Sequence, residues 1–139
     1  MKRIKYCNYK NEDFSNSQLI LKNYHGCNFT DCNFSKCTIN YSTFLNCNFY
    51  NCNFTDSEQL NSNYSLSLLS DCNFSLNNLH QCSFQACSIK NCNFEDCNLI
   101  KTNFKLASIK GSSFKYSNVL HALFDKELEQ KFLKEEEKW

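Results

Sequence analysis

The cysteines of this chain recur at a fixed interval of five residues. Each of the 11 cysteines stands at a position whose number leaves a remainder of two on division by five. Two places further on, from Ile4 to Phe124, the residue is large and apolar in every case except Gln59. A unit of five residues cannot bury its own apolar side chains and stacks on neighbouring units to do so. The sequence therefore predicts a stacked repeat structure, not a disulfide framework.

The first position of the unit, which we call the small slot, holds cysteine interchangeably with other small residues. Cys27, Cys32 and Cys37 occupy it, as do Thr102 and Ala107. Zinc sites usually bring ligands in pairs spaced by two to four residues, often with histidine, whereas these thiols follow the structural period. Exchange with threonine and alanine indicates a steric role. We therefore expect no metal, no cofactor and 11 reduced thiols.

The third position, the large slot, holds an aromatic or aliphatic residue. A typical unit consists of a small residue, asparagine, a large residue and two variable residues, as in C-N-F-T-D and C-N-F-S-K. Over residues 4 to 124 these units resemble those of the pentapeptide-repeat family. The resemblance implies an all-β fold, a right-handed quadrilateral parallel β-helix whose coil has four units as its four faces, with both slots pointing inward. Residues 1–124 would then form about six coils spaced by about 4.8 Å.

Two further expectations follow from the repeat. Phenylalanines twenty residues apart, such as Phe34, Phe54 and Phe74, should stack in one column. With only two glycines and no proline in the chain, we expect the asparagine before each large residue to hydrogen-bond locally and to carry the turns.

Two segments depart from the pattern. Small slots near the start hold Lys2, Glu12 and Lys22, and burial of unpaired charge is costly, so we expect residues 1–23 to form an irregular coil that covers the end of the helix. Gln59 stands in a large slot and is followed by Leu60. Two interpretations remain open there: a bulge or local loop, or an inward glutamine bonded to backbone.

Residues 125–139 abandon the period and predict a short C-terminal α-helix. Asp125 can cap it, and Leu128, Phe132 and Trp139 recur near helical spacing. A helix of this length is marginal alone, so its apolar stripe should dock on a surface. It either caps the last coil or forms a dimer contact; the resemblance implies a homodimer that pairs through the C-terminal end.

The residue pattern favours a binding protein over an enzyme. No base stands beside a nucleophile, and no phosphate-binding glycine loop is present. Fifteen basic and 14 acidic residues argue against direct nucleic-acid binding. No apolar run is long enough to span a membrane, and the charged start lacks the apolar segment of a secretory signal, so we expect a cytoplasmic protein.

We predict a non-enzymatic scaffold that binds a macromolecular partner, a protein not yet identified, through its flat outer faces. The outward residues Leu66, Ala86 and Leu106 form the candidate contact strip. The resemblance implies an alternative, a DNA mimic that regulates or protects a type II topoisomerase such as gyrase, as quinolone-resistance members do. Residues 31–98 carry six acidic and two basic side chains, a sparser charge than duplex DNA presents.

Overall fold

The computed structural model describes the backbone of residues 2–134 and the side chains of residues 2–131. Nine short strands precede one helix. Their bounds are β1 (Ile4–Lys5), β2 (Asn8–Lys10), β3 (Asn23–His25), β4 (Asn28–Thr30), β5 (Thr43–Leu45), β6 (Asn48–Tyr50), β7 (Leu68–Ser70), β8 (Ser88–Lys90), β9 (Ser108–Lys110) and α1 (Lys126–Lys134). None of the helices within residues 2–134 is long and apolar enough to cross a membrane.

Parallel pairing at an offset of twenty residues builds the fold. One sheet has three strands in the order β1-β3-β5, and another has six in the order β2-β4-β6-β7-β8-β9. Tyr9 pairs with Phe29 in the second sheet. Isolated parallel bridges keep the same offset elsewhere, for example Asn33 with Asn53 and Asn78 with Asn98. The chain is thus a parallel four-faced β-helix, as predicted, and the six-stranded sheet agrees with the estimate of about six coils.

We number the faces by the second coil. Face 1 contains residues 23–25, face 2 residues 28–30, face 3 residues 33–35 and face 4 residues 38–40, and the corners that follow these faces are residues 26, 31, 36 and 41. A residue twenty positions away belongs to the same column of the next coil, because the pairing offset is constant. Face 2 therefore carries the six-stranded sheet.

Every corner from residue 6 to residue 121 has a left-handed backbone, with φ between 52° and 66°. The corner is the fifth residue of each unit, so the prediction that the asparagine in second place carries the turn is wrong. That asparagine does hydrogen-bond locally: Asn33 Oδ1 accepts from the Ser35 N–H at 2.9 Å. A Cβ at Gly111 would meet the Asn91 Oδ1, which is the end of a flexible side chain.

Stacked aromatic columns fill the interior. The rings of Phe34 and Phe54 are 4.7 Å apart and nearly parallel, at 4°, and those of Phe54 and Phe74 are 4.5 Å apart. Neighbouring columns meet edge to face, as Phe74 and Phe84 do at 88°. The expected aromatic column is confirmed. Such pairs contribute about 0.5 to 1.5 kcal/mol each beyond area burial.

The first coil is regular, so the predicted irregular coil over residues 1–23 is wrong. Ile4 pairs with Tyr24, and β2 pairs with β4 in full register. The charged residues of the small slots, Lys2, Glu12 and Lys22, are exposed. The slots of Lys2 and Glu12 lie in the first coil, where the interior of the β-helix opens to solvent, so these side chains stay hydrated. Lys22, whose slot lies one coil further in and directly above that of Lys2, is exposed as well.

Gln59 also keeps the register, so the predicted bulge is wrong. Its N–H donates to the Asn78 carbonyl at 2.8 Å, and its side chain is fully buried. The side chain is bonded to other side chains rather than to backbone: Gln59 Nε2 donates to Asn77 Oδ1 at 2.7 Å, and the Tyr64 hydroxyl donates to Gln59 Oε1. The satisfied hydrogen bonds make an inward glutamine tolerable.

Helix α1 follows the last coil directly. Leu128 packs against the core cluster together with Ala107 and Ile109. The Asp125 carboxylate does not cap α1, since it accepts hydrogen bonds from the Leu106 N–H at 3.2 Å. Of the residues predicted for a cap or dimer contact, Leu128 is therefore placed over the end of its own β-helix. The side chain of Phe132 and all of Trp139 lie outside the described residues.

Candidate interaction surfaces

The three residues of the predicted contact strip form one corner column between faces 1 and 2. The Leu66 N–H donates to the Gln85 carbonyl at 3.0 Å, and the Ala86 N–H donates to the Lys105 carbonyl at 2.9 Å, so Leu66, Ala86 and Leu106 lie on successive coils. Leu66 is 56% exposed and Leu106 is 68% exposed. The structure thus brings together the residues that we call the apolar strip.

Leu68 extends the apolar strip onto face 2. It lies two residues after Leu66 in β7, and more than half of its surface is exposed. Tyr50, also exposed, lies on the neighbouring coil of the same face, where it pairs with Ser70. The sequence interpretation missed Leu68, although a leucine in the position that usually holds asparagine was a signal for it.

A second surface is acidic and was not recognised from the sequence. Residues 2–124 contain eight carboxylates, and six of them lie on face 3 or at its two corners. We call this surface the acidic face; its carboxylates are Asp13, Asp31, Asp56, Asp71, Glu95 and Asp96. Two basic residues, Lys36 and Lys115, share it.

The carboxylates of the acidic face alternate between its two edges. Asp31 and Asp71 lie two coils apart at the corner with face 2, separated by Asn51, whose Nδ2 donates to Asp31 Oδ1 at 2.8 Å. Asp56 and Asp96 lie two coils apart at the corner with face 4. Each of these four coils therefore carries one corner carboxylate, which lies alternately at one edge and at the other edge of the acidic face. Successive coils are about 4.8 Å apart.

Asparagines fill the acidic face between its edges. Asn33, Asn53, Asn73 and Asn93 form one column, and the Oδ1 of Asn53 accepts from the Thr55 N–H at 3.0 Å. Hydrogen bonds from Ser15 lower the pKa of Asp13. Such a flat polar surface with ionised edges attracts cationic side chains, an attraction that salt screens with a length of about 8 Å at physiological ionic strength.

The buried thiols offer little chemistry. Burial raises the pKa of Cys82, Cys87 and Cys97 to about 12, so these side chains are protonated at neutral pH and poorly nucleophilic. All 11 cysteines are free, and every one except Cys7 is buried. Within the described part of the chain, no group of three or more His, Cys, Asp or Glu residues is arranged to hold a metal ion.

The C-terminal end forms a third surface. A cleft of about 390 Å³ separates α1 from the last coil and is lined by Ala107, Ile109, Asp125, Glu127, Leu128 and Lys131. Around this end, Tyr116, Leu120 and Leu123 expose about half of their surface or more. Helix α1 thus covers the end of the β-helix only in part.

The fold and the repeat define the class of protein: a four-faced parallel β-solenoid built from five-residue units. The model of the family described as Pentapeptide repeats matches residues 25–57 and 78–115 in eight copies, which is a little over half of the chain. The chain therefore belongs to the pentapeptide-repeat family. No curated protein matches its sequence.

Several solved structures are similar in fold. A trypsin-treated form of QnrB1, a plasmid-mediated fluoroquinolone resistance protein, is 13% identical with a TM-score of 0.38, over 98% of each chain. Rfr23 of the cyanobacterium Cyanothece is 13% identical with a TM-score of 0.39, over 89% of this chain and 84% of its own. HetL of the cyanobacterium Nostoc is 10% identical with a TM-score of 0.32, over 88% and 91%.

Proposed function

We propose that this pentapeptide-repeat scaffold is non-catalytic and binds a protein partner through its outer faces. The observation that carries the proposal is the acidic face, which gathers six of the eight carboxylates of residues 2–124 on one side of a rod. A partner with a lysine- or arginine-rich surface is complementary to it, and such complementarity directs association and selects among partners.

The stacked core suits this role. Because the large side chains point inward and stack at ring distances such as 4.9 Å between Phe74 and Phe94, the backbone that bears the acidic face is held rigidly. A preorganised surface loses little conformational entropy on binding. The outer side chains are thus free to contact a partner while the inner ones keep the coils in register.

The apolar strip supplies the second part of the proposed interface. It runs along one edge of face 2, and Asp31 and Asp71 mark the other edge. Within one coil the order is Leu66, Leu68, Ser70 and Asp71. A partner that lies across face 2 therefore buries exposed leucines and meets the edge of the acidic face. Apolar contact stabilises the complex, and the carboxylates orient it.

Substitution of both surfaces tests the proposal. The experiment is affinity capture from the native host, with a bait that carries Asp31→Asn, Asp56→Asn, Asp71→Asn and Asp96→Asn. Asparagine replaces aspartate without steric change and tolerates the left-handed backbone of the corner. The control removes four charges that lie off faces 2 and 3: Lys2→Gln, Lys5→Gln, Lys22→Gln and Lys101→Gln.

We expect the quadruple Asp→Asn variant to lose partners that the wild type and the Lys→Gln control retain. Leu66→Asp with Leu106→Asp should weaken the same complexes about tenfold or more. If a partner binds all of these variants as it binds the wild type, neither surface is its binding site.

A DNA-mimicking regulator or protector of a type II topoisomerase is the second candidate. The alternation of carboxylates along a rod favours it. The density of charge disfavours it, because one corner carboxylate per coil of about 4.8 Å is sparse beside the one charge per about 1.7 Å of duplex DNA. A gyrase supercoiling assay with and without a quinolone decides: inhibition or protection at micromolar protein supports the mimic, and no effect in either condition removes it.

We also propose a homodimer through the C-terminal end and a cytoplasmic location. The exposed side chains of Leu120 and Leu123, beside the cleft under α1, support the dimer, and 11 unpaired thiols suit a reducing compartment. Light scattering should give twice the chain mass for the wild type, and Leu120→Asp with Leu123→Asp should give the monomer. A monomeric wild type would leave α1 as a cap alone.

A further inference from the structure

Four consecutive coils carry cysteine in the small slot that follows the corner between faces 2 and 3. We call this set the thiol column; its members are Cys32, Cys52, Cys72 and Cys92. The Asn53 N–H donates to the Cys32 carbonyl at 3.0 Å, and the same contact recurs one coil and two coils further on, so these slots are stacked directly on one another. All four side chains are only 2% or 3% exposed.

The thiols of the column share one orientation. Each sulfur contacts the carbonyl oxygen two residues earlier in the chain, at 3.4 Å between Cys32 Sγ and Thr30 and at 3.4 to 3.5 Å in the other three coils. Each also contacts the carbonyl oxygen 23 residues earlier, at 3.3 to 3.6 Å. Because the contacts repeat from coil to coil, adjacent sulfurs are separated by the spacing of the coils.

That spacing matches the length of two metal–sulfur bonds in line. The aromatic column beside the thiols measures it: ring distances are 4.7 Å from Phe34 to Phe54, 4.5 Å from Phe54 to Phe74 and 4.9 Å from Phe74 to Phe94. A metal–thiolate bond is about 2.3 Å long, so two of them in line span about 4.6 Å. An ion that takes two ligands in line therefore fits between adjacent thiols without a shift of the coils.

Contacts along the column also make two of its thiols more acidic. Contacts with the Cys72 thiol and with the main-chain N–H of Cys32 lower the pKa of Cys52, and contacts with the Cys72 thiol and its main-chain N–H lower the pKa of Cys92. The same neighbouring thiols raise the pKa of Cys72. Cys82, which has no cysteine in the coil above or below, has its pKa raised to about 12 by burial. The column thus favours the thiolate, the form that binds metal, at alternate positions.

The arrangement suits a two-coordinate ion and not zinc. Zinc in structural sites takes four ligands in a tetrahedron, and among residues 2–131 no group of three or more His, Cys, Asp or Glu residues is placed to supply them. Soft thiolate ligands select Cu(I), a closed-shell ion that is stable with two sulfur ligands in line. The spacing of five residues, which argues against a zinc site in the sequence, is no obstacle to a site built from one thiol of each coil.

We infer that the thiol column binds Cu(I), with each ion held in line between two adjacent thiols. The four thiols form two such pairs, Cys32 with Cys52 and Cys72 with Cys92. Each ion replaces the two thiol protons of its pair, which pass to the solvent, and no electron is transferred. The bound pair carries one negative charge, which the main-chain N–H groups beside the sulfurs stabilise. The inference is independent of the proposed partner binding, because it concerns inner side chains and not the outer faces.

Two matched variants test the column. Both are made in a background with Cys27→Ser, which interrupts the shorter run of stacked thiols in another column of small slots. The broken-column variant carries Cys52→Ser and Cys92→Ser and leaves no two stacked thiols. The control carries Cys37→Ser and Cys97→Ser, because these two residues have no cysteine in the coil above or below. Both variants lose the same number of thiols, and serine already occupies other buried slots.

Competition with a chromogenic Cu(I) chelator, in the absence of oxygen, gives the number of tightly held ions. We expect two ions in the background protein and in the control, and none in the broken-column variant. X-ray absorption of the loaded control should show two sulfur neighbours for each copper. Because the ions bind the folded column, Cu(I) should raise the midpoint of urea unfolding of the background protein and of the control, and leave that of the broken-column variant unchanged.

Two results would overturn the inference. The broken-column variant could hold as much Cu(I) as the control, which would show that the thiols bind copper regardless of their stacking. Circular dichroism could show that the background protein loses its β-structure as it takes up copper, which would assign the binding to the unfolded chain. If the serine variant does not fold, Cys52→Ala with Cys92→Ala, which places in these slots the residue found at Ala107, is measured in the same way and judged by the same two results.

Discussion

Two residues that break the repeat and one tyrosine of a large slot meet in the core as one hydrogen-bonded cluster. Gln59 stands in a large slot, Asn77 stands in a small slot, and Tyr64 lies in the column where Phe44 and Phe84 stack. All three are almost fully buried. We call them the polar cluster, and we expect their contributions to stability to be strongly coupled, because each satisfies the hydrogen-bonding groups of another.

The contacts determine the size of the effect. Tyr64 donates its hydroxyl proton to Gln59 Oε1, and burial raises the pKa of that hydroxyl well above its usual value. Gln59 Nε2 donates to Asn77 Oδ1 at 2.7 Å, and Asn77 Nδ2 donates to the Phe54 carbonyl at 2.5 Å. Tyr64→Phe leaves one acceptor unpaired in the core, which costs about 1 to 3 kcal/mol.

Larger changes follow at Gln59. Gln59→Leu removes the partners of both Tyr64 and Asn77, so it should cost about 2 to 6 kcal/mol. The triple variant Gln59→Leu, Tyr64→Phe and Asn77→Ser replaces all three polar side chains with residues that are common in their slots. It should lie within about 1 kcal/mol of the wild type, or above it, because removal of all partners together leaves no polar group unpaired.

Urea unfolding followed by circular dichroism measures these free energies, provided that the denaturant slope stays constant across the variants. Tyr24→Phe is the matched control: Tyr24 stacks on Phe44 in the same column, and no hydrogen bond from its hydroxyl is found within residues 2–131. The hypothesis is refuted if the costs of Gln59→Leu and Tyr64→Phe simply add, without a coupling of about 1 kcal/mol or more.

Three further predictions concern the core, the corners and the thiols. Phe74→Ala should lower the free energy of unfolding by about 3 to 5 kcal/mol, and Phe14→Ala, at the open end, by clearly less; equal losses in urea unfolding would contradict the column model. Leu76→Asn should raise the melting temperature in calorimetry, because Leu76 has a φ of 60° that asparagine adopts at lower cost; an unchanged or lower value would count against corner strain. Burial raises the pKa of the Cys82 thiol from 9.0 to about 12. The contribution of this thiol to stability is therefore fully present below pH 9 and is lost as the pH rises toward 12. Urea unfolding should show a free energy of unfolding that falls across this range, and a flat profile would contradict thiol burial.

The division into inner and outer residues could be predicted from the repeat for most of the chain. The expectation held for the aromatic column of Phe34 and Phe54, because alternation within a short extended unit determines which side chains point inward. The same argument failed at Lys22 and Gln59. Lys22 is exposed although its slot lies one coil in from the end, directly above that of Lys2, and Gln59 is tolerated because Tyr64 and Asn77 bond to it.

The acidic face shows a different kind of failure. Counted along the chain, its carboxylates are scattered between Asp13 and Asp96 and look like ordinary solvated charge. Counted by their place in a coil of twenty residues, they lie on one face and its corners. The signal was present in the sequence, but a count by segment hides what a count by column reveals.

The sequence alone determined the period of five and the inward positions, because these depend on interactions that every unit repeats, and the four faces of the coil were what the resemblance to the pentapeptide-repeat family implied. Only the tertiary structure decided how the exceptions are accommodated: which polar residues meet in the core, which charges share a face and which slots open to water. Those outcomes depend on contacts across a separation of 18 residues, as between Gln59 and Asn77, and on the position of each coil along the rod, neither of which the residues of one unit contain.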